Sequence, residues 1–450
     1  MKHLFSGLIF FGLIFCSFLA SAQVISGPML GPVNLRDASV WVELEPGVKT
    51  ARLQWSKKGS SVVQYADPAK PLSNRFNTVL FEVGGLEPAT TYNYKVIVNG
   101  KATTAGGSFT TQDLWQWRKP APDFSFLTGS CNYVNQPPYD RPGRPYGGDS
   151  SIYEPMAREK AAFMLWLGDN WYTREVDYYS RWGLWYRAQH DRKQKILQPF
   201  LAAMPQYAIW DDHDFGPNDI GTNYIFKDES REIFKNYWAN PSYGEWGKGI
   251  YTQINYSDVD LFLLDDRTWR SADALPDSVN GAPNPEKRMV GVQQLQWLKN
   301  ALRFSNATFK IVAVGSQVLN PASPYDKWKD FPVEYYELTQ FLADNKINGV
   351  LFLTGDRHHS EVIKVERPGT YPLYDITVSP LTSGTHLFGG PEKNNPWRVV
   401  GVDQLQNYGR ISVTGKRNER KLTVEFLGIK GNKLAEWSVG EAELKTPGGR

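Results

Sequence analysis

Cysteine is nearly absent from this chain: Cys16 and Cys131 are the only two in 450 residues. A disulfide framework is therefore excluded as a source of stability, and a chain that has shed Cys16 cannot close even one internal bridge. Histidine is scarce too, with six residues. Neither sign of charge is in excess, with 50 Lys and Arg against 47 Asp and Glu, a net of +3. Losing Lys2 with a leader leaves 49 against 47, a net of +2. That balance offers nothing specific to nucleic acid or an anionic membrane. Long apolar runs are missing as well. The one over residues 8–19 is shorter than the roughly 18–20 residues that span a bilayer, so no transmembrane segment is expected after the leader. No internal repeat or low-complexity segment occurs.

Several features are present in strength. Lys2 and His3, the apolar run, and Ala20-Ser21-Ala22 before Gln23 describe a secretory signal peptide over residues 1–22. The protein is expected to be exported, to the periplasm, the cell surface or the medium. Aromatics make up 14% of the chain, with 16 Trp, which fits a large buried core or sugar-facing surfaces. Residues 23–112 read as all-β, because "DASVWVELEP" and "TARLQWSKKG" alternate apolar and polar residues and end in turn chemistry. The stretch "GGLEPATTYNYKVIVNGKATTAGGSFTT" looks like the last strands of a fibronectin type III or immunoglobulin-like sandwich, with a tyrosine near a strand start. "QDLWQWRKPAPD" reads as a linker.

From Phe124 the pattern changes. Short unbroken apolar strands, "FSFLTGS", "FMLWLGD", "YAIWDDHD", "VDLFLLDD", "KIVAVGS" and "GVLFLTGD", alternate with helical stretches. The helices expected are "SIYEPMAREKAA", "QKILQPFLAAM", "ESREIFKNYWAN", "VQQLQWLKNALRF" and "VEYYELTQFLAD". Strands without alternation are buried on both faces, so helices must cover a central sheet in a layered α/β unit over residues 123–445. The β-hairpin-like end, "GRISVTGKRNERKLTVEFLGIKGNKLAEWSV", is expected to complete a sheet edge.

Five of these strands end in polar clusters: Cys131; Asp169-Asn170; Asp211-Asp212-His213-Asp214; Asp265-Asp266-Arg267; and Asp356-Arg357-His358-His359. In open α/β sheets the binding crevice lies beyond the carboxyl ends of the strands. One such Asp would be an ordinary cap or turn former; five clusters in one unit point to a site. Carboxylate, imidazole, amide and thiolate are all metal ligands, and neither a Gly-rich phosphate loop nor a G-x-S-x-G elbow competes.

"TGSC", "LGDNWYTRE", "WDDHDFGPND" and "LTGDRHHSE", in that order, resemble PhoD-type alkaline phosphatases of the calcineurin-like metallophosphoesterase superfamily, as do "LLDDRTWR" and "VGVQQLQWL". The resemblance runs over about residues 123–437. It implies an αββα metallophosphoesterase domain behind the β-sandwich, and a secreted phosphoesterase whose metal-activated oxygen nucleophile attacks phosphate mono- or diesters at a binuclear site. It also implies ferric iron on Cys131 and Tyr172, Asp169 bridging iron and calcium, and Asp356 and His358 in the last metal motif. Asn218 aligns with a calcium-binding asparagine, with Asp212 as the competing candidate. Asp211, His213 and Arg357 are implied as catalytic, either phosphate-facing or site-supporting.

These residue types suit that reaction. Two cations about 3.5–4 Å apart can clamp the attacking and leaving oxygens of a phosphoester. Thiolate and phenolate suit ferric iron, while carboxylate and amide oxygens suit calcium. His213 is read either as a proton donor to the leaving alcohol or as an Asp-oriented imidazole. Arg357 and Arg267 are candidates for phosphate contact, against surface salt bridges. The Pro/Gly/Tyr-rich loop 132–150 is expected to line the entrance, with "SPLTSGTH", carrying Ser379, Ser383 and His386, as another wall. Rival readings are a phospholipase D-like phosphodiesterase on the same scaffold and a metal-stabilised glycan-binding protein.

Overall fold

The computed structural model describes residues 23–447. The expected signal peptide and Cys16 lie outside the described residues.

Residues 24–110 form two antiparallel sheets. One has three strands (Val24–Val33, Asp37–Leu44, Asn77–Gly84), the other four (Gln64–Ala66, Ala51–Lys57, Thr91–Val98, Lys101–Thr110). The period-2 pattern of the sequence is the cause: Tyr92, Tyr94, Val96 and Val98 point inward while Asn93 and Lys95 face water. Inward side chains of both sheets, including Val40, Leu53, Phe81 and Val96, make one apolar cluster. The Tyr92 hydroxyl accepts a hydrogen bond from the Glu87 amide at 2.9 Å.

This unit is seated on the rest of the chain. Met29 and Trp41 belong to the larger unit's core, and Trp41 Nε1 donates to the Asn236 carbonyl at 2.7 Å. Glu43, fully buried, accepts from Gln189 Nε2 at 2.5 Å and from the Tyr237 hydroxyl at 3.2 Å.

The larger unit contains two large sheets, where the apolar strand pattern alone points to one central sheet and the family resemblance implies two β layers; a two-stranded ribbon pairs Ser278–Val279 with Ala282–Pro283. A six-stranded sheet runs in the order Gln206–Ile209, Met164–Leu167, Phe124–Gly129, Asn407–Thr414, Lys421–Gly428, Lys433–Gly440. Its first three strands are parallel and the C-terminal strands extend it antiparallel. A seven-stranded sheet runs Thr252–Tyr256, Val259–Leu263, Phe309–Val314, Val350–Thr354, Leu373–Thr377, Ser360–Val365, Arg398–Val402, with parallel pairing from the second strand to the fifth. Both sheets contribute to one core, through Phe126, Leu165 and Ile209 on one side and Phe262, Val312 and Phe352 on the other. The hairpin-like C-terminal segment thus completes the six-stranded sheet with three antiparallel strands.

Helices Lys227–Tyr237, Val292–Phe304 and Pro332–Asp344 fall where the 3.6-residue periodicity placed them. Arg181–Arg192 is a further helix, capped by the Ser180 hydroxyl accepting from Gly183 N. Its low apolar content hides it: its buried face carries Arg187, Asp191 and Arg192, and Arg187 is paired with Asp177 at 2.7 Å. Among the described residues, no helix is long and apolar enough to cross a membrane.

Candidate metal centre

The parallel strands of both sheets end toward one place. Two glycines make the meeting possible. A Cβ on Gly168 (φ +92°) would lie 2.7 Å from the Asp211 Cβ, and one on Gly355 would lie 2.6 Å from the Leu167 carbonyl oxygen and 2.7 Å from the Ser130 Cβ. Each Gly-Asp pair therefore puts a carboxylate where any larger residue would hold the strand ends apart.

Four of the residues that follow these strands have left-handed backbone: Cys131 (φ 61°), Asp169 (52°), Asp356 (66°) and His358 (57°). That region is unfavourable for side chains with a Cβ and is concentrated at functional sites. Here it turns each chain sharply and aims consecutive side chains into the gap.

Two donor groups result. Ligand atoms of Cys131, Asp169 and His358 lie within 4.8 Å of one another, as do those of Asp169, Asp212 and His213. Asp169 belongs to both. In the first group Cys131 Sγ is 3.5 Å from Asp169 Oδ2. The Tyr172 hydroxyl is 2.9 Å from the same oxygen and 3.1 Å from His358 Nε2. His358 Nδ1 lies 2.7 Å from the Gly384 carbonyl, which can only accept, so Nδ1 carries the proton and the Nε2 lone pair faces the group. The one hydroxyl hydrogen of Tyr172 cannot serve both acceptors. Ser379 ties the wall together: its hydroxyl donates to Cys131 Sγ at 3.2 Å and accepts from His358 N at 2.9 Å.

Electrostatics explain why such a group calls for a cation. Burial, then repulsion from Asp212, Asp214 and Asp356, pushes the Asp169 carboxyl well above the carboxylate range. Burial, followed by Asp169 and Asp356, raises the Cys131 thiol, and burial, then Asp169 and Cys131, raises the Tyr172 phenol. Burial, with Asp326 adding repulsion, pushes Asp356 up to about 8. Burial opposes ionisation of Asp212 too, but His213 and Arg267 hold its carboxyl below the usual range. Burial lowers His213, whose Nδ1 is buried without a hydrogen-bond partner. Crowded anionic donors that resist ionisation together and an orphaned imidazole nitrogen fit a cation pair sharing Asp169.

The three acids of "WDDHD" divide the work. Asp212 faces the site. Asp214 staples strand ends, accepting from Asn170 N at 2.9 Å and Asp211 N at 3.0 Å. Asp211 caps the helical turn Asp212–Phe215 and is paired with the buried Arg267, whose Nε donates to Oδ1 at 2.7 Å. Of the two roles expected for Asp211, these contacts favour the site-supporting one, the positioning of Asp212. Arg267 is neither a surface salt bridge nor free for phosphate. Asp265 and Asp266 are likewise structural: Asp265 accepts from Trp210 Nε1 at 2.9 Å and Asp266 from Ser316 N at 3.1 Å.

The remaining predicted residues sit apart. Asn218 is exposed, and its amide donates to Asp219 at 2.6 Å; Asp212, the competing candidate, is the one gathered with Asp169. Arg357 is buried, with Nη2 on Glu392 at 2.8 Å and its guanidinium 4.3 Å over the Tyr325 ring. It faces an ion-pair network rather than the donor groups. A third donor group, His359, Glu361 and Glu392, belongs to that network. Glu361 is occupied by Gln317, Asn320 and Arg398, so no vacant carboxylate awaits a cation. The loop 132–150 does border the site, through Tyr133 and Tyr146, whose rings lie 5.0 and 6.4 Å from that of Tyr172. Ser379, expected as a polar contact of the wall, supports Cys131 and His358. Asp214 carries no separate role in the sequence reading, and the Asp-x-x-Asp capping-box spacing of 211 and 214 is the signal that marks it.

The mixed α/β fold is metallophosphoesterase-like. The overall mixed α/β fold is similar to that in a solved structure of PhoD, with a TM-score of 0.74, 19% identity, and coverage of 96% of this chain and 92% of that one. It is also similar to the purple acid phosphatase PPD1 from yellow lupin (Lupinus luteus) seeds, with a TM-score of 0.68, 11% identity, and coverage of 92% and 74%. Residues 126–398 match the PhoD-like phosphatase family model, and the chain belongs to that family. Residues 21–110 match a domain of unknown function, DUF7800. Alkaline phosphatase D of Bacillus subtilis (strain 168) is 26% identical over 329 residues, 63% of this chain and 54% of the relative. The match thus spans about half the length of that curated relative.

Proposed function

We propose that this protein is an exported, metal-dependent phosphoric ester hydrolase of the alkaline phosphatase D kind, acting on phosphate mono- or diesters at a two-cation site. The observation that carries the reading is the sharing of Asp169 between two buried donor groups. The thiol, phenol and imidazole of Cys131, Tyr172 and His358 suit ferric iron. The oxygen preference of calcium selects Asp169 and Asp212 at the second group, with Asn218 at its rim. His213 is then left to move a proton at the ester oxygen. Bound there, the cations would supply Lewis-acid polarisation of the phosphoryl oxygens and lower the pKa of an attacking water.

The chain's own residues do the rest. Asp169 holds the two positions at a fixed separation, Asp211 and Arg267 fix the turn that presents Asp212 and His213, and Ser379 and Gly384 orient Cys131 and His358. Asp356, half-buried beside Asp212, is a further donor. We assign residues 1–22 to a signal peptide, 23–112 to a fibronectin III-like sandwich and 123–445 to the catalytic unit.

Elemental analysis combined with assays on an aryl monophosphate and a bis-aryl phosphate tests this. Two cations per chain and hydrolysis of at least one ester are expected. Full cation loading with no hydrolysis of either overturns it.

A further inference from the structure

Two cavities flank the donor groups. One, of about 390 Å³, is lined by Tyr172, His213 and Asn218 and opens on the candidate centre. The other, of about 830 Å³, is walled by Ser383, Gly384 and His386 and reaches Leu405, Ile429 and Leu434. Arg144 and Tyr146 line both. Tyr146 stands between them as a partition. On the side of the centre, its ring meets those of Tyr133 at 5.1 Å and Tyr172 at 6.4 Å. Its hydroxyl lies 3.0 Å from His358 Nδ1. On the other side it packs against Gly384, where a Cβ would approach within 3.1 Å of the ring. The residue is nonetheless 42% exposed, so it is not a core aromatic held for packing alone.

The volumes matter. Pockets for drug-sized ligands hold about 300–1,000 Å³, so the smaller cavity suits a compact alcohol and the larger could take one of nucleoside size. From these contacts we infer that Tyr146 is a specificity-determining residue, a wall that confines the alcohol portion of the ester to the smaller cavity and withholds the larger one. This rests on the hydrolase reading. The ring contacts with Tyr133 and Gly384 keep the wall closed, and the mixed apolar and amide lining of the larger cavity would accept a bulky polar alcohol once the ring is gone.

The test uses the full, cation-loaded chain and two alkyl monoesters that differ in size more than in leaving-group acidity, β-glycerophosphate and a nucleoside 5′-monophosphate. Tyr146→Ala is expected to raise the kcat/KM ratio of nucleotide to glycerophosphate by about tenfold or more, the range that pocket contacts command. Tyr146→Phe, which keeps the ring, should leave the ratio within about twofold. Calorimetry with an unreactive nucleoside phosphonate should show tighter binding to the alanine variant and unchanged binding to the phenylalanine variant. Elemental analysis checks that the cations remain; if Tyr146→Ala loses them, Tyr146→Leu is read by the same criteria. Hydrolysis by the wild type with an unchanged ratio and unchanged phosphonate affinity overturns this inference alone. Hydrolysis of neither ester by the loaded wild type overturns it together with the hydrolase reading.

Discussion

Arg267→Met removes a guanidinium that is 1% exposed. Its Nε donates to Asp211 Oδ1 at 2.7 Å, and its Nη2 reaches the same oxygen. Nη2 also lies 3.6 Å from Asp326 Oδ2, and Nε 3.9 Å from Asp266 Oδ1. Methionine replaces the stem but none of the charge. Asp211, whose Oδ2 is already buried without a partner, is then either charged and unpaired or forced to take up a proton. Breaking a buried pair by deleting one member costs roughly 3–5 kcal/mol. Adding Asp211→Asn removes the stranded charge and should return about 1–3 kcal/mol of that loss. Urea titrations read both values from the midpoint, with the slope unchanged. A loss below about 1 kcal/mol, the level of an exposed pair, would refute the buried-strut assignment. So would intact stability with weakened inhibition by inorganic phosphate, which would return Arg267 to phosphate contact.

The shared carboxylate sets the cation stoichiometry. Asp169→Asn should lose both cations while Cys131→Ala and Asp212→Asn each lose one, with circular dichroism unchanged; normal iron in Cys131→Ala would reject its ligand role. Chelation of calcium should suppress activity reversibly. Because Asp169, Cys131 and Asp356 (pushed to about 8) hold protons that a cation must displace, affinity should rise with pH. Calorimetry between about pH 6 and 9 checks this, and a flat profile would refute it. Burial raises the Glu43 carboxyl in the folded state. Its stabilising contribution is full below the unfolded glutamate value near about 4.3 and is lost as pH climbs through the folded value. Glu43→Gln should therefore raise stability at neutral pH, on the order of 1 kcal/mol, with no gain at acid pH in urea melts.

Much of the architecture was legible because its signals are local. Unbroken apolar runs such as "GVLFLTGD" announce strands covered on both faces, and Gly168-Asp169 and Gly355-Asp356 mark where those strands must stop. The helix Arg181–Arg192 was not legible, since a helix that buries the ion pair of Arg187 and Asp191, and Arg192 beside them, has no clear apolar stripe to read. The two β layers could not be read from the strands themselves for a related reason: apolar runs show that a strand is buried but not which neighbour covers it, and only the family resemblance implied them.

The linear chain determined which chemistry is available here: a lone thiol, few imidazoles, and carboxylates massed after strands. Those are matters of residue type and spacing, which folding does not alter. Which groups meet was decided only by the packing of two sheets. That packing brings Cys131, Asp169 and His358 to one point from distant parts of the chain and pairs Asp211 with Arg267 beneath it. It turns Asp212 toward the gap, leaves Asn218 at the rim, and sets Tyr146 between two cavities. Adjacent carboxylates in "WDDHD" are equivalent as text. They became a strut, a ligand candidate and a staple because each met a different neighbour, in an interior where an unpaired charge is too costly to leave alone.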